Sequence, residues 1–294
     1  MPSLKEVRIR IASVKSTQQI TSAMKMVAAS KLRKAQNSIL KMRPYAAKLK
    51  EILQNLSANA AETDSNPYAK QRNLNSVLLV VFTSNRGLCG AFNSNVIKAA
   101  VQTFKGQFAQ LENENIHLIT VGKKGTEFFT KRGYNVIASY DAIYDNLTWD
   151  NSVPIAESLM KLFTEGKYDK VIFVYNQFKN AAVQKTSVEN FLPVEAPAQS
   201  ESILSKGEID YLFEPSMEEI VTELIPKSLK IQFYKALLDS FASEHGARMT
   251  AMHQATDNAG QLLKELSLAY NKARQAAITK EILEIVGGAE ALKG

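Results

Sequence analysis

The stretch LKEVRIRIASVKSTQQITSAMKMVAASKLRKAQNSILKMRPYAAKLKEILQNLS, residues 4–57, holds no glycine and one proline, Pro44. Its residues favour helix throughout, and at 1.5 Å per residue they predict a single rod of about 80 Å, where globular helices average about 12 residues. Steps of three and four from Leu4 land on Leu4, Val7, Ile11, Val14, Gln18, Thr21, Lys25, Ala28, Leu32, Ala35, Ile39, Met42, Ala46, Leu49, Leu53 and Leu56. Only Gln18, Thr21 and Lys25 among them are polar, and an apolar repeat of period 3.5 sustained this long is a coiled-coil seam.

The other end of the chain carries the same signal. Between residues 217 and 286 only Pro226, Gly246 and Gly260 interrupt a helical composition. Steps from Ile231 give Tyr234, Leu238, Phe241, His245, Arg248, Met252, Ala255, Ala259, Leu262, Leu266, Ala269, Ala273, Ala276, Lys280 and Leu283. Two terminal seams predict one antiparallel pair, and their many alanines let the backbones approach closely. Pro226 predicts a kink or a late start near the beginning of the second helix. If both helices leave the intervening region at a similar level, residue i lies opposite about residue 274 − i, within roughly a turn. Gln18, Thr21 and Lys25 then face residues 248–256, and Leu4 faces about Tyr270. Beyond that, the chain is expected to continue as a lone helix that exposes Ile278, Ile282, Leu283 and Ile285 unless another chain covers them.

Between the helices the pattern changes to short β-branched runs at residues 77–83, 116–121, 134–139, 170–175 and 184–192, alternating with helical stretches. That order predicts an open α/β domain of doubly wound, Rossmann-like type. The fold class is therefore α/β, with a long antiparallel coiled coil added to it. The expected division is an N-terminal helix at 1–58, a linker at 59–75, a globular domain at 76–208, and a connecting segment with the C-terminal helix at 209–294. Residues 193–206, with two prolines, read as an exposed loop.

Composition narrows the function classes. The longest apolar run, VLLVVF at 77–82, is far short of the roughly 18 residues needed to span a bilayer. A single cysteine, Cys89, excludes an internal disulfide framework and fits a reducing compartment. With only His117, His245 and His253 beside it, no metal-ligand spacing appears, and neither a metal nor a cofactor is implied. The net charge of +7 is uneven: the first fifty residues hold twelve Lys and Arg against Glu6 alone, leaving the remainder net acidic. An acid-poor, Arg-bearing N-terminus has the composition of a mitochondrial presequence, but the pattern runs to about Ser57 without a cleavage-like break.

The turn SNRGLCGAFN, residues 84–93, follows the first strand and opens a helix, where doubly wound folds often hold phosphate. It matches neither GxGxxG nor GxxxxGK[ST], and Gly87 and Gly90 fit a tight turn without a ligand. No histidine lies near Cys89 in sequence, so a buried structural thiol is the plainer reading. His245 and His253 read as helix-packing residues, and His117 sits in a strand.

IRIASVKSTQQITSAMKMVAASKLRKAQ, SNRGLCGAFN, DYLFEPS and ARMTAMHQATDNAGQLLKELSLAYNKARQAAITKEILEIVGGAEAL occur in the order of, and resemble, the signatures of the F-type ATP synthase gamma family, over nearly the whole chain. The bacterial form is the better fit, since the sequence has neither the dithiol insertion of chloroplast versions nor a transit peptide. The resemblance implies a non-catalytic shaft turning inside three alpha and three beta subunits, its globular base resting on the membrane c-ring beside the epsilon subunit, peripheral on the cytoplasmic side of the bacterial membrane. It implies that Met24, Lys25, Met26 and Arg248 face lever loops on beta, with Arg274, Gln275, Thr279 and Glu281 in a catch region higher in the sleeve. It further implies that Tyr211, Phe213 and Glu214 belong to a foot touching epsilon and the c-ring. For Met24 and Met26 the plainer alternative is seam packing, and for Arg274 and Glu281 a solvated helix face.

Two other classes predict different features. A Rossmann-like small-ligand protein with a helical oligomerisation arm needs a constellation of site residues between 75 and 200, and none is visible. A nucleic-acid or membrane binder exploiting the basic N-terminus needs interleaved aromatics that this segment lacks.

Overall fold

The computed structural model describes residues 3–59, 67–111, 115–194 and 217–291. The first helix, α1 (Leu4–Asn59), begins where the sequence places a reciprocal cap. The Glu6 amide donates to Ser3 Oγ at 3.3 Å and the Ser3 amide donates back to Glu6 Oε2 at 3.0 Å, satisfying two amides with no partner inside the helix. The helix runs through Pro44, and the last helix, α5 (Met217–Ala291), runs through Pro226 instead of starting after it.

Five strands form one sheet: β1 (Val77–Phe82), β2 (Ile116–Val121), β3 (Val136–Ser139), β4 (Lys170–Phe178) and β5 (Gln184–Leu192), in spatial order β3-β2-β1-β4-β5. All neighbours are parallel except β5, which runs antiparallel to β4. Three helices cover the crossovers: α2 (Phe92–Gly106), α3 (Lys123–Lys131) and α4 (Trp149–Thr164). Every residue of β1 is buried because both its faces are covered, which is why this strand reads as a continuous apolar run. Its alternate residues Val77, Leu79 and Val81 pack with Val96, Ala100 and Phe129 of α2 and α3. Leu78, Val80 and Phe82 pack with Leu159 and Phe163 of α4 and with Leu229, Phe233 and Leu237 of α5.

The chain divides into two compact units, a helical one made of Met1–Ala29 with Arg248–Gly294 and a sheet-bearing one made of Ser30–Ala247. The described part of the expected linker, residues 67–75, is tied to the sheet-bearing unit. Arg72 Nη1 donates to the Phe163 carbonyl at 2.8 Å with its guanidinium 5.0 Å from the Phe163 ring centre, and the amides of Asn75 and Ser76 both donate to Asp169 Oδ2 at 2.9 Å.

In the helical unit the two helices are antiparallel. Thr256 Oγ1 lies 2.8 Å from Thr21 Oγ1, and Arg8 Nη2 donates to Tyr270 Oη at 2.9 Å. The periodicity expected Leu4 opposite Tyr270, so the observed register is displaced by about one turn. The displacement keeps seam on seam: carrying the Thr21–Thr256 pairing along both helices sets Ile11 against Leu266 and Lys25 against Met252. From Leu4 to Leu49, every seam residue of α1 whose side chain is described is buried or half-buried.

Candidate functional site

In a doubly wound sheet a ligand enters at the carboxyl ends of the strands where the strand order reverses, here between β1 and β4. In this chain a buried polar residue of β4 bonds to its neighbours near that point. Asn176, 1% exposed near the end of β4, donates from Nδ2 to the Phe92 carbonyl at 3.1 Å and accepts from Thr186 Oγ1 at 2.7 Å. Its own carbonyl accepts from Ser243 Oγ of α5 at 2.9 Å. A Cβ added at Gly246 would meet Ala181 Cα and O at 3.2 Å, so α5 crosses the Ala181 turn closely. Asn176 ties β4 to the start of α2, to β5 and to α5. The signal in the sequence was the one polar residue at the end of KVIFVYN, and only the fold gives it that meaning.

The turn at 84–93 is likewise held by its own side chains. The Ser84 amide donates to Asn93 Oδ1 at 2.9 Å, Asn93 Nδ2 donates to Ser84 Oγ at 2.8 Å and to Cys89 Sγ at 3.3 Å, and Cys89 is buried. The left-handed positions are Leu88, at φ 64°, and Gly90, at φ 58°. Leu88 is two-thirds exposed, an apolar side chain held out by a backbone conformation that leucine rarely adopts.

Burial is the main cause of the shifts of His117 and of the buried tyrosines in the sheet-bearing unit. Tyr175 is held well above the usual phenol range, first by burial and then by the adjacent Glu189 carboxylate, to which its hydroxyl donates at 2.6 Å. Glu189 also accepts from Gln232 Nε2 at 2.8 Å, so one carboxylate joins β4, β5 and α5. Burial lowers His117, whose ring packs edge-on to Tyr168. His245 is buried against Phe241 as expected for a packing residue, whereas His253 is exposed and pairs with Asp257 at 3.4 Å, which corrects the packing assignment made for it. Among the described residues no group of three His, Cys, Asp or Glu side chains is placed to hold a metal ion.

The residues singled out for partner contact fall into two groups within the helical unit. Met24 and Lys25 are half-buried, Arg248 is buried, and Met26 is 64% exposed. Seam packing therefore does not account for Met26. Arg274, Gln275, Thr279 and Glu281 are all exposed, and they lie beyond the level at which the register brings Leu4 to α5. From there α5 continues to Ala291 with Ile278, Ile282, Leu283, Ile285 and Val286 between 47% and 71% exposed. Tyr211, Phe213 and Glu214 lie outside the described residues.

Comparison with known proteins agrees with this architecture. The sequence model of the ATP synthase family matches residues 3–292. The ATP synthase gamma chain of Flavobacterium johnsoniae is 58% identical over the whole of both chains, that of Cytophaga hutchinsonii is 57% identical over 99% of each, and that of Chlorobaculum tepidum is 47% identical over the whole of both. A chain in the mitochondrial ATP synthase of Euglena gracilis, solved with OSCP, F1 and c-ring, has the same fold at a TM-score of 0.68 and 21% identity, covering 98% of this chain and 94% of that one. A chain in the central stalk and c-ring structure from Tetrahymena thermophila aligns at a TM-score of 0.56 and 26% identity, over 80% of this chain and 99% of that one. Sequence identity that runs unbroken through both long helices and the sheet leaves one assignment: the chain belongs to the ATP synthase gamma chain family.

Proposed function

We infer that this chain is the central rotor shaft of an F-type ATP synthase, coupling rotation of a membrane c-ring to the conformational cycle of three catalytic beta subunits. The observation that carries this reading is the unaccompanied end of α5. Residues 274–291 rise roughly 27 Å past the level where α1 begins, with an apolar face that a free protein would not leave in water. Inside a sleeve of three alpha and three beta subunits that face is covered. An asymmetric shaft in a three-fold sleeve meets each beta subunit with different contacts and so biases the three sites toward different affinities. Catalysis then belongs to beta and not to this chain.

On this reading Met24, Lys25, Met26 and Arg248 meet the beta lever loops, and Arg274, Gln275, Thr279 and Glu281 the catch region. Tyr211, Phe213 and Glu214 meet epsilon and the c-ring. The functional divisions are 1–58, 59–75, 76–208 and 209–294, and the complex lies peripherally on the cytoplasmic face of the bacterial membrane. Among the described residues no helix is long and apolar enough to cross a membrane. The rival reading, a small-ligand protein with a helical oligomerisation arm, needs a constellation of site residues between 75 and 200, and the sequence offers none.

Co-purification tests the assignment. The chain should elute with alpha and beta in three-fold excess over itself, and alone it should hydrolyse no ATP. Turnover by the chain free of beta, removable by changing Arg86 or Cys89, would overturn it.

A second expectation concerns charge. Lys31, Arg33 and Lys34 are exposed on α1, within the strongly basic N-terminal segment. Reversing all three to glutamate should slow assembly with an acidic partner about tenfold at low salt, and by less than about threefold at 0.5 M, because steering by exposed charge is screened. Stopped-flow assembly at two ionic strengths reads this directly, and equal slowing at both would refute it.

A further inference from the structure

Seam residues recur every 3.5 positions on both helices, so sliding one helix past the other by a turn again sets apolar against apolar. In the helical unit the seam therefore leaves registers one turn apart nearly equivalent, and something else has to choose among them. Four residues on two adjacent turns do not tolerate the slide. Thr21, 8% exposed, donates from Oγ1 to its own helix at the Gln18 carbonyl at 3.0 Å, which leaves its lone pairs toward α5. Thr256 Oγ1 sits 2.8 Å from it and equally 2.8 Å from the Met252 carbonyl of its own helix. One turn away, Gly260 leaves a notch beside Gln18: a Cβ there would stand 3.0 Å from Gln18 Nε2.

We propose that Gln18, Thr21, Thr256 and Gly260 form a register lock that sets how far the end of α5 projects past the start of α1. A slide of one turn in one direction puts the Thr21 hydroxyl against Met252, where no donor replaces Thr256. A slide in the other direction brings Gln18 against Leu262 or Leu263 and takes it out of the glycine notch. Either move buries a polar group against apolar side chains, as a polar residue in an otherwise apolar seam does when it specifies coiled-coil register. The Arg8–Tyr270 contact has the same register but is exposed, and water competes for it. The lock positions the overhanging residues and touches no reacting group. It is a property of the chain by itself and does not depend on the shaft reading, so the two stand or fall separately.

Disulfide trapping in the full chain with Cys89→Ser tests it. Ile11→Cys with Leu266→Cys continues the Thr21–Thr256 register, while Ile11→Cys with Leu262→Cys or with Ala269→Cys samples about one turn either way. With the four residues intact, the first pair should oxidise about tenfold faster than the others, the factor that about 1.4 kcal/mol, the upper end of one net hydrogen bond's contribution, corresponds to. In Thr21→Val, Thr256→Val, Gly260→Ala the preference should fall to about threefold or less, and in Thr21→Ser, Thr256→Ser it should stay near tenfold. A preference unchanged in the triple variant overturns the proposal, as does an equal loss in the serine variant. Should the triple variant lose its helical circular dichroism, Gly260→Ala alone decides: a preference still near tenfold overturns the proposal, and a fall supports it.

Discussion

Phe173→Ala is expected to destabilise the sheet-bearing unit by about 4 kcal/mol, the usual range for emptying a fully buried phenylalanine site being about 3–5 kcal/mol. Phe173 is wholly buried on β4, stacked on Phe191 with ring centres 4.3 Å apart and edge-on to Phe82 and Phe233 at 5.5 and 5.8 Å. Those four rings join β1, β4, β5 and α5, so no single side chain can relax into the space that truncation leaves. Trp149, the only tryptophan, packs edge-on to Tyr234 of α5 in the same unit, and its fluorescence in urea reports the transition. Leu268→Ala, at a residue 64% exposed, should lie within about 0.5 kcal/mol of the unaltered chain. A Phe173→Ala effect below about 1 kcal/mol would mean that the aromatic cluster does not hold α5 on the sheet.

Gly122→Ala should be nearly as damaging, at about 3 kcal/mol or more. Gly122 joins β2 to α3 at φ 109°, a conformation strained for any L side chain, and an added Cβ would land on the Thr83 carbonyl. Relief by rotating the turn would pull apart what Thr83 holds there. Its amide donates to the Val121 carbonyl at 2.7 Å, and its Oγ1 donates to the Gly122 carbonyl at 3.0 Å and accepts from the Gly125 amide at 2.8 Å. Gly87→Ala is the control: a Cβ there meets nothing within 4 Å and φ is not left-handed, so its change should stay below about 1 kcal/mol. If thermal unfolding ranks these two glycines the other way round, the account of the β2–α3 turn fails.

The regular elements were legible because their signals are local. The helix over residues 4–57 is α1, and the five β-branched runs are β1 to β5 with end shifts of three residues or fewer. The absence of glycine in one case and β-branched alternation in the other are properties of neighbouring residues. What local signals could not reveal was which small or polar residue answers to a distant backbone. Gly122 is explained by Thr83, thirty-nine positions earlier, and Asn176 by Phe92 and Ser243. Leu88 takes a left-handed conformation in a turn that Ser84, Cys89 and Asn93 span with hydrogen bonds, a setting that no propensity scale records.

The candidate contact residues divide in the same way. Sequence resemblance alone singled out Met24, Lys25, Met26, Arg248 and the group from Arg274 to Glu281, but only exposure separates Met26, which faces water, from Arg248, which does not. Taken by itself, the sequence determined that two long helices pair antiparallel, that an open α/β sheet lies between them in the chain, and that α5 outruns α1. Each follows from the spacing of apolar side chains along one segment. The register of the pair was decided only by tertiary structure. An apolar repeat of 3.5 residues is indifferent to a slide of one turn, and it takes hydroxyl meeting hydroxyl at Thr21 and Thr256, with glycine receiving glutamine at Gly260 and Gln18, to make one setting lower in energy than its neighbours.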